Sequence, residues 1–213
     1  MSAPLPPRPF VYPVVDVGVL GARSIGEAVA ALARGGARLL QIRAKDVPAG
    51  RFLDLAREAM AAAAGTGVLV LINDRPDIAR IIGADGVHIG QDDLSPRDVR
   101  ALLPAGALVG LSTHGLEEVE AARAEPVDYV AIGPVFPTVS KSDTRPVVGL
   151  EMVRQARKLT SRPLVAIGGI TRQNARLVAD AGADGLAVIS DILAAADLEA
   201  AVTGFRAAIG EGW

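Results

Sequence analysis

The sequence predicts an α/β fold, a single (β/α)8 TIM barrel. Three observations point there. Eight short apolar runs alternate with Ala-rich stretches along the whole 213-residue chain. Near-continuously apolar strands separated by helices make a parallel sheet covered on its outer face. A punctuation mark also recurs. Gly83-Ala84-Asp85-Gly86-Val87 and Gly182-Ala183-Asp184-Gly185-Leu186 are near copies, and Gly35-Gly36-Ala37-Arg38-Leu39 is a looser third. In each, a left-handed glycine is expected to end a helix before a short turn feeds the next strand. Finally, no linker or composition shift marks a second domain. Eight units suit a closed barrel better than a doubly wound sheet, which wants fewer strands and a topological switch point.

The elements follow in order. The Pro-rich start MSAPLPPRPF makes residues 1–9 a flexible or surface-lying arm, with the barrel domain spanning 10–213. Strand Tyr12–Val15 precedes helix Ser24–Gly35. Strand Leu39–Arg43 precedes helix Gly50–Ala64, and strand Val68–Ile72 precedes helix Arg75–Ile82. Strand Gly86–Ile89 leads to helix Ser95–Leu103, entered through Ser95 as cap and Pro96 at the first helical position. Strand Leu108–Ser112 and helix Leu116–Ala124 follow, then Tyr129–Ile132 and Leu150–Thr160. Strand Leu164–Ile167 pairs with helix Gln173–Ala181. Strand Gly185–Val188 is followed by a short helical segment, Asp191–Leu193, and a last helix, Ala194–Ile209.

Composition narrows the function. Apolar residues make up 50% of the chain and aromatics 3%, so the core is built from small and branched aliphatics. The net charge of −2 argues against a general nucleic-acid binder, so anion binding has to come from locally placed cations. Without cysteine there are no disulfides, thiolate nucleophiles or Cys-based zinc sites. No long apolar h-region opens the chain and no run is long enough to span a bilayer. A cytoplasmic protein, independent of membrane and nucleic acid, is the expectation. The oligomeric state is left open, a homodimer included.

Working groups in such a barrel sit at the C-terminal ends of the strands, and those ends carry the chemistry. The second strand ends in Gln41-Ile42-Arg43-Ala44-Lys45, whose alternation puts Gln41, Arg43 and Lys45 on one face. They suit a diphosphate clamp, with Arg as a bidentate fork and Lys as a point charge; the plainer alternative is a buried ion pair with Asp74 and Asp93. Asp74 and Asp93 follow adjacent strands and present hard oxygens suited to Mg²⁺. Their plainer role is helix capping; with Ser95 the better cap, Asp93 is left freer than Asp92 for a ligand role. Gly168-Gly169 lets backbone approach a ligand, and Ile189-Ser190 opens a short helix, so the ends of strands seven and eight suit a phosphate; GG as a mere turn is the alternative. Lys141, with Thr138 and Ser140, suits a ligand loop. His88 sits inside a strand and reads as a core residue, whereas His114 at a strand end could act as acid or base.

Taken together, QIRAK, INDRPD, GVHIGQDD, GLSTH, IGPVFPTVSKSDT, AIGGIT and VIS resemble the motifs of the thiamine phosphate synthase family, in the same order and barrel positions, over roughly residues 10–195. The resemblance implies a transferase that joins a hydroxymethylpyrimidine diphosphate to a thiazole phosphate, giving thiamine phosphate and pyrophosphate. It implies pyrimidine-diphosphate contacts at Gln41, Arg43, Lys45, Asn73, Ser112 and Lys141, and Mg²⁺ on Asp74 and Asp93. It implies thiazole-phosphate contacts at Thr138, Ser140, Gly169, Ile189 and Ser190. The implied mechanism is dissociative. Pyrophosphate leaves first, drawn by Mg²⁺, Arg43, Lys45 and Lys141, and the thiazole nitrogen captures the pyrimidine methyl cation. Two residues depart from the family pattern. Val139 stands where an acidic residue is common, and Ser140 where Thr is, which keeps the hydroxyl. The competing readings are a related thiazole phosphate tautomerase using His114, and a non-catalytic phosphate-ligand sensor.

Overall fold

The computed structural model describes residues 5–138 and 146–210. Val139, Ser140 and Lys141 of the expected ligand loop lie outside the described residues, as do residues 1–4 of the arm. Among the described residues, eight parallel strands form a closed barrel in chain order, with the last pairing to the first. They are β1 (Phe10–Asp16), β2 (Leu39–Arg43), β3 (Leu69–Asn73), β4 (Gly86–Ile89), β5 (Leu108–Thr113), β6 (Tyr129–Ile132), β7 (Leu164–Ile167) and β8 (Gly185–Val188). The helices are α1 (Val17–Leu20), α2 (Ile25–Arg34), α3 (Ala49–Ala63), α4 (Pro76–Ile82), α5 (Pro96–Leu102), α6 (Leu116–Ala121), α7 (Gly149–Leu159), α8 (Ala175–Asp180), α9 (Ser190–Leu193) and α10 (Leu198–Ile209), with a 3-10 turn at Ala122–Ala124. None of them is long and apolar enough to cross a membrane. Of the expected arm, Leu5 packs against the core and Arg8 lies 3.3 Å from Asp184.

β2, β4, β6, β7 and β8 fall where the apolar runs put them. β1, β3 and β5 reach further, ending on the polar residues Asp16, Asn73 and Thr113. Helix α1 was not expected. Asp16 caps it by accepting from the Gly18 N–H at 2.9 Å, and Gly21 at φ +69° stops it after four residues, too few to show a period. The last helix begins at Leu198 rather than Ala194, because Asp197 caps it through the Ala200 N–H at 3.0 Å. Ser95 does cap α5, with Pro96 at its first position.

The recurrent Gly-Ala-Asp-Gly has a physical reason that lies in its aspartate. Asp85 accepts from the Val70 N–H at 2.8 Å while its own N–H donates to the Val70 carbonyl at 3.0 Å. Asp184 does the same with Leu164, at 2.8 and 2.7 Å. Asp128, outside any Gly-Ala repeat, does so with Val109, at 2.7 and 2.8 Å. Each aspartate thus clasps the start of the preceding strand and saturates both backbone groups of one residue. Gly83 is left-handed at φ +67° as expected, but Gly35 is not. Gly36 takes φ +92° instead, and a side chain on Gly35 would meet the Glu199 carbonyl at 2.7 Å. The third copy therefore exists for close packing on α10.

Candidate active site

The strand ends bring two unlike groups of side chains to the C-terminal rim. The first belongs to β1–β4. Arg43, the last residue of β2, is buried and ion-paired with Asp16, its register partner on β1. Lys45 lies two residues further on, and its Nζ is 2.5 Å from Asp74 Oδ2. Asp74 follows β3 in a left-handed conformation, φ +59°, with its N–H donating to the His88 carbonyl at 2.8 Å. A non-glycine residue held there stores backbone strain, a frequent mark of a functional position. Asp93 accepts from the Gly90 N–H at 2.7 Å. Burial pushes its carboxyl above the ordinary carboxylate range; the Gly90 N–H opposes this, and the neighbouring Asp74 adds to it.

Capping does not account for either carboxylate. Helix α4 has Arg75 at its cap with no side-chain bond, and α5 is capped by Ser95. The ion-pair alternative is realised in part. Lys45 pairs with Asp74, while Arg43 pairs with Asp16. Gln41 is buried and its Nε2 donates to the Tyr12 hydroxyl at 2.9 Å. Asn73 is buried at the end of β3, in register with His88.

The second group surrounds a cavity of about 560 Å³ between the ends of β5 and β8. Ser112, His114, Thr138, Gly169, Ile189 and Ser190 line it, whereas Gln41, Arg43, Lys45, Asn73, Asp74 and Asp93 do not. Ser112 closes the side nearer β4, since its Oγ is 2.8 Å from His88 Nε2. Gly168 at φ +99° and Gly169 at φ +61° need their lack of a side chain for an internal reason as well. A Cβ on Gly168 would meet Pro134 at 2.5 Å, and one on Gly169 the Pro137 carbonyl at 2.5 Å. The loop after β6 is thereby pressed onto β7, with the Val135 N–H donating to the Ile167 carbonyl at 2.9 Å. Helix α9 starts at Ser190 on the same wall. His114 Nδ1 is 2.7 Å from the Gly133 carbonyl, which makes Nδ1 the donor and leaves Nε2 as the acceptor in a neutral ring.

A profile described as thiamine monophosphate synthase matches residues 11–192. The chain belongs to the thiamine monophosphate synthase family. A thiamine-phosphate synthase of Koribacter versatilis is 48% identical over 87% of this chain and 89% of its own length. Another, of Albidiferax ferrireducens, is 44% identical over 88% and 85%. The solved thiamine phosphate pyrophosphorylase of Pyrococcus furiosus superposes with a TM-score of 0.86 at 32% identity, covering 95% of this chain and 96% of that one. As a member of this family the chain is an enzyme, a transferase that makes thiamine phosphate and releases pyrophosphate.

Synthases of this type invite the question whether a divalent ion fits. Asp74 and Asp93 offer hard oxygens, and a cation would relieve both the burial that chiefly raises Asp93 and the like charge of Asp74 that adds to it. Among the described residues no three His, Asp or Glu are grouped to hold a metal. An ion on this pair would therefore complete its shell with water or substrate oxygen. The donor set fits a Mg²⁺ ion in that shared sense.

Three residues of the site escaped the sequence reading: Asp16, Tyr12, and Tyr129, whose hydroxyl lies 3.0 Å from that of Tyr12. Asp16 had a signal, a lone carboxylate closing an apolar strand, the same mark that singled out Asp74. The tyrosines had none, because an aromatic inside an apolar strand reads as core.

Proposed function

We propose that the enzyme condenses 4-amino-2-methyl-5-hydroxymethylpyrimidine diphosphate with a thiazole phosphate, and that pyrophosphate departs before the new bond forms. The bond between the pyrimidine methylene carbon and the diphosphate oxygen breaks, and its electron pair leaves with pyrophosphate. The thiazole nitrogen then gives its lone pair to the cationic carbon. That nitrogen carries no proton to remove, so no strong base is required.

Arg43 and Lys45 bind the diphosphate and stabilise its departure. A guanidinium has five N–H donors, and the bond to Asp16 engages Nη1, so Asp16 aims the group as well as neutralising it. Mg²⁺ held by Asp74 and Asp93 would supply further positive charge to the leaving oxygens. Gln41, Asn73 and Ser112 hold the pyrimidine. The thiazole phosphate lies against Gly169, Ile189 and Ser190, where backbone amides at the start of α9 favour an anion, with Thr138 and Ser140 as its further contacts, while Lys141 joins Arg43 and Lys45 in drawing off the diphosphate. Catalysis is mostly orientation and leaving-group stabilisation.

One observation carries this reading: a cation–dicarboxylate group, Lys45–Asp74–Asp93, shares a rim with a cavity ending at Gly169 and Ser190. A transfer between two phosphorylated substrates needs both. Incubation with the two substrates and Mg²⁺, with pyrophosphate and thiamine phosphate measured, tests it; stoichiometric appearance of both is expected. A second reading has support from His114, whose Nε2 is set as a proton acceptor in the cavity. Isomerisation of the thiazole phosphate without pyrophosphate release would favour that tautomerase and contradict the condensation.

A further inference from the structure

The barrel interior contains a string of hydrogen bonds that the proposed chemistry does not use. Gln41 Nε2 is 2.9 Å from the Tyr12 hydroxyl, which is 3.0 Å from the Tyr129 hydroxyl. The Tyr129 hydroxyl is 2.8 Å from His88 Nδ1, and His88 Nε2 is 2.8 Å from Ser112 Oγ. The string crosses from β2 through β1, β6 and β4 to β5, and every member is buried. Its two ends are Gln41 and Ser112, both proposed above to hold the pyrimidine.

The sequence makes room for it. The Tyr129 ring lies over β5, where a Cβ on Gly110 would sit 2.0 Å from its Cζ. Gly110 lets Tyr129 stack on the His88 imidazole, with ring centres 5.5 Å apart and 22° between planes. Tyr12 meets Tyr129 edge-on, at 6.2 Å and 80°.

The protons of the string have one consistent direction. Either hydroxyl could donate in the Tyr12–Tyr129 bond; with Tyr12 accepting from the Gln41 amide nitrogen, the arrangement that leaves no buried hydroxyl proton of the string without an acceptor has Tyr12 giving its proton to Tyr129. Tyr129 in turn gives its proton to His88 Nδ1. A neutral imidazole then carries its proton on Nε2 and donates to Ser112 Oγ. A charged ring would make Nδ1 a donor as well and strand the Tyr129 proton in a buried place, at the cost of an unmade hydrogen bond. Burial raises both tyrosines well above the ordinary phenol range, so their hydroxyls stay protonated. Ser112, having accepted from His88, turns its own proton outward. Its backbone is fixed as well, because Gln91 Nε2 donates to the Ser112 carbonyl at 2.6 Å.

We infer that the Gln41–Tyr12–Tyr129–His88–Ser112 string is a positioning device that sets the His88 tautomer and presents Ser112 to the substrate as a hydrogen-bond donor. His88, Tyr12 and Tyr129 are positioning residues. The inference rests on the proposed role of Ser112 as a substrate contact.

The experiment has two arms. Nitrogen-15 NMR of the imidazole in the intact enzyme reads the tautomer: His88 protonated on Nε2 is expected, and a proton on Nδ1 would overturn the inference without any variant. The second arm is a double-mutant cycle on kcat/KM for the pyrimidine diphosphate, with Tyr129→Phe and Ser112→Ala. Tyr129→Phe removes one hydroxyl and keeps the ring, and is expected to lower kcat/KM about three- to tenfold, the value of one hydrogen bond. In the Ser112→Ala background the same change is expected to have almost no further effect. Equal losses in both backgrounds would mean a purely structural role and overturn the inference alone. Full activity of Ser112→Ala would instead overturn the substrate role on which it rests.

Discussion

Replacing Asp16 by Asn tests how firmly the fold holds Arg43. Asp16 is 4% exposed and Arg43 9%, so the pair is almost wholly withdrawn from water. Removing one partner of a buried pair leaves the other uncompensated, typically at a cost of about 3–5 kcal/mol. Asn keeps the shape and can still accept from the Gly18 N–H, so the capping contribution to α1 of about 1 kcal/mol is retained. Arg43 stands at the rim and can turn toward water, which puts the expected loss near the lower limit, about 3 kcal/mol. With a urea m-value of about 1–3 kcal/mol per molar, the unfolding midpoint falls by about 1–3 M. Circular dichroism along a urea series measures this, and pyrophosphate release measures the consequence for activity. An Arg43 free to turn away is expected to lower kcat/KM about tenfold or more, since small misplacements of a positioning group are costly. A variant with an unchanged midpoint and unchanged kcat/KM would refute the idea that Asp16 supports Arg43.

The other perturbations separate the two rims. Asp184→Ala removes the acceptor for the Leu164 N–H and the pairs with Arg157 and Arg8, all at the rim opposite the site. A loss of about 2–4 kcal/mol in thermal or urea unfolding is expected, with kcat/KM unchanged; lost activity at unchanged stability would contradict it. Gly169→Ala forces a side chain against the Pro137 carbonyl at positive φ, so a loss of about 1–3 kcal/mol and a raised KM for thiazole phosphate are expected from unfolding and steady-state assays. Asp93 also gives a pH signature. Its folded pKa is raised, so the folded state binds the proton more tightly, and its contribution is fully present below the ordinary carboxylate pKa and lost as pH rises through the raised value. In chelator, Asp93→Asn is therefore expected to unfold at a higher temperature than the parent at neutral pH and to lose that advantage in acid. An advantage that grows in acid would contradict the carboxylate contact.

The barrel was legible because apolar runs and Gly-rich helix ends are local signals. Leu39–Arg43 and Gly185–Val188 could be placed to the residue for that reason. What stayed hidden depends on partners distant in sequence. Asp128 clasps Val109 as Asp85 clasps Val70, yet Pro126-Val127-Asp128 looks nothing like Gly-Ala-Asp. Gln41, Arg43 and Lys45 were found together by alternation, but their separate partners, Tyr12, Asp16 and Asp74, required the strands to be placed side by side. The reading of His88 as a core residue with a satisfied ring agrees with its burial and both ring bonds, while the string it belongs to spans 117 residues between Tyr12 and Tyr129.

We propose that Asp74 and Asp93 act as one divalent-cation site beside the diphosphate clamp. The most direct test is a Mg²⁺ titration of pyrophosphate release by the parent enzyme and by Asp93→Asn. The half-activating concentration is expected to rise about tenfold or more in the variant, as loss of a charged oxygen ligand requires. Superimposable titrations would contradict the claim.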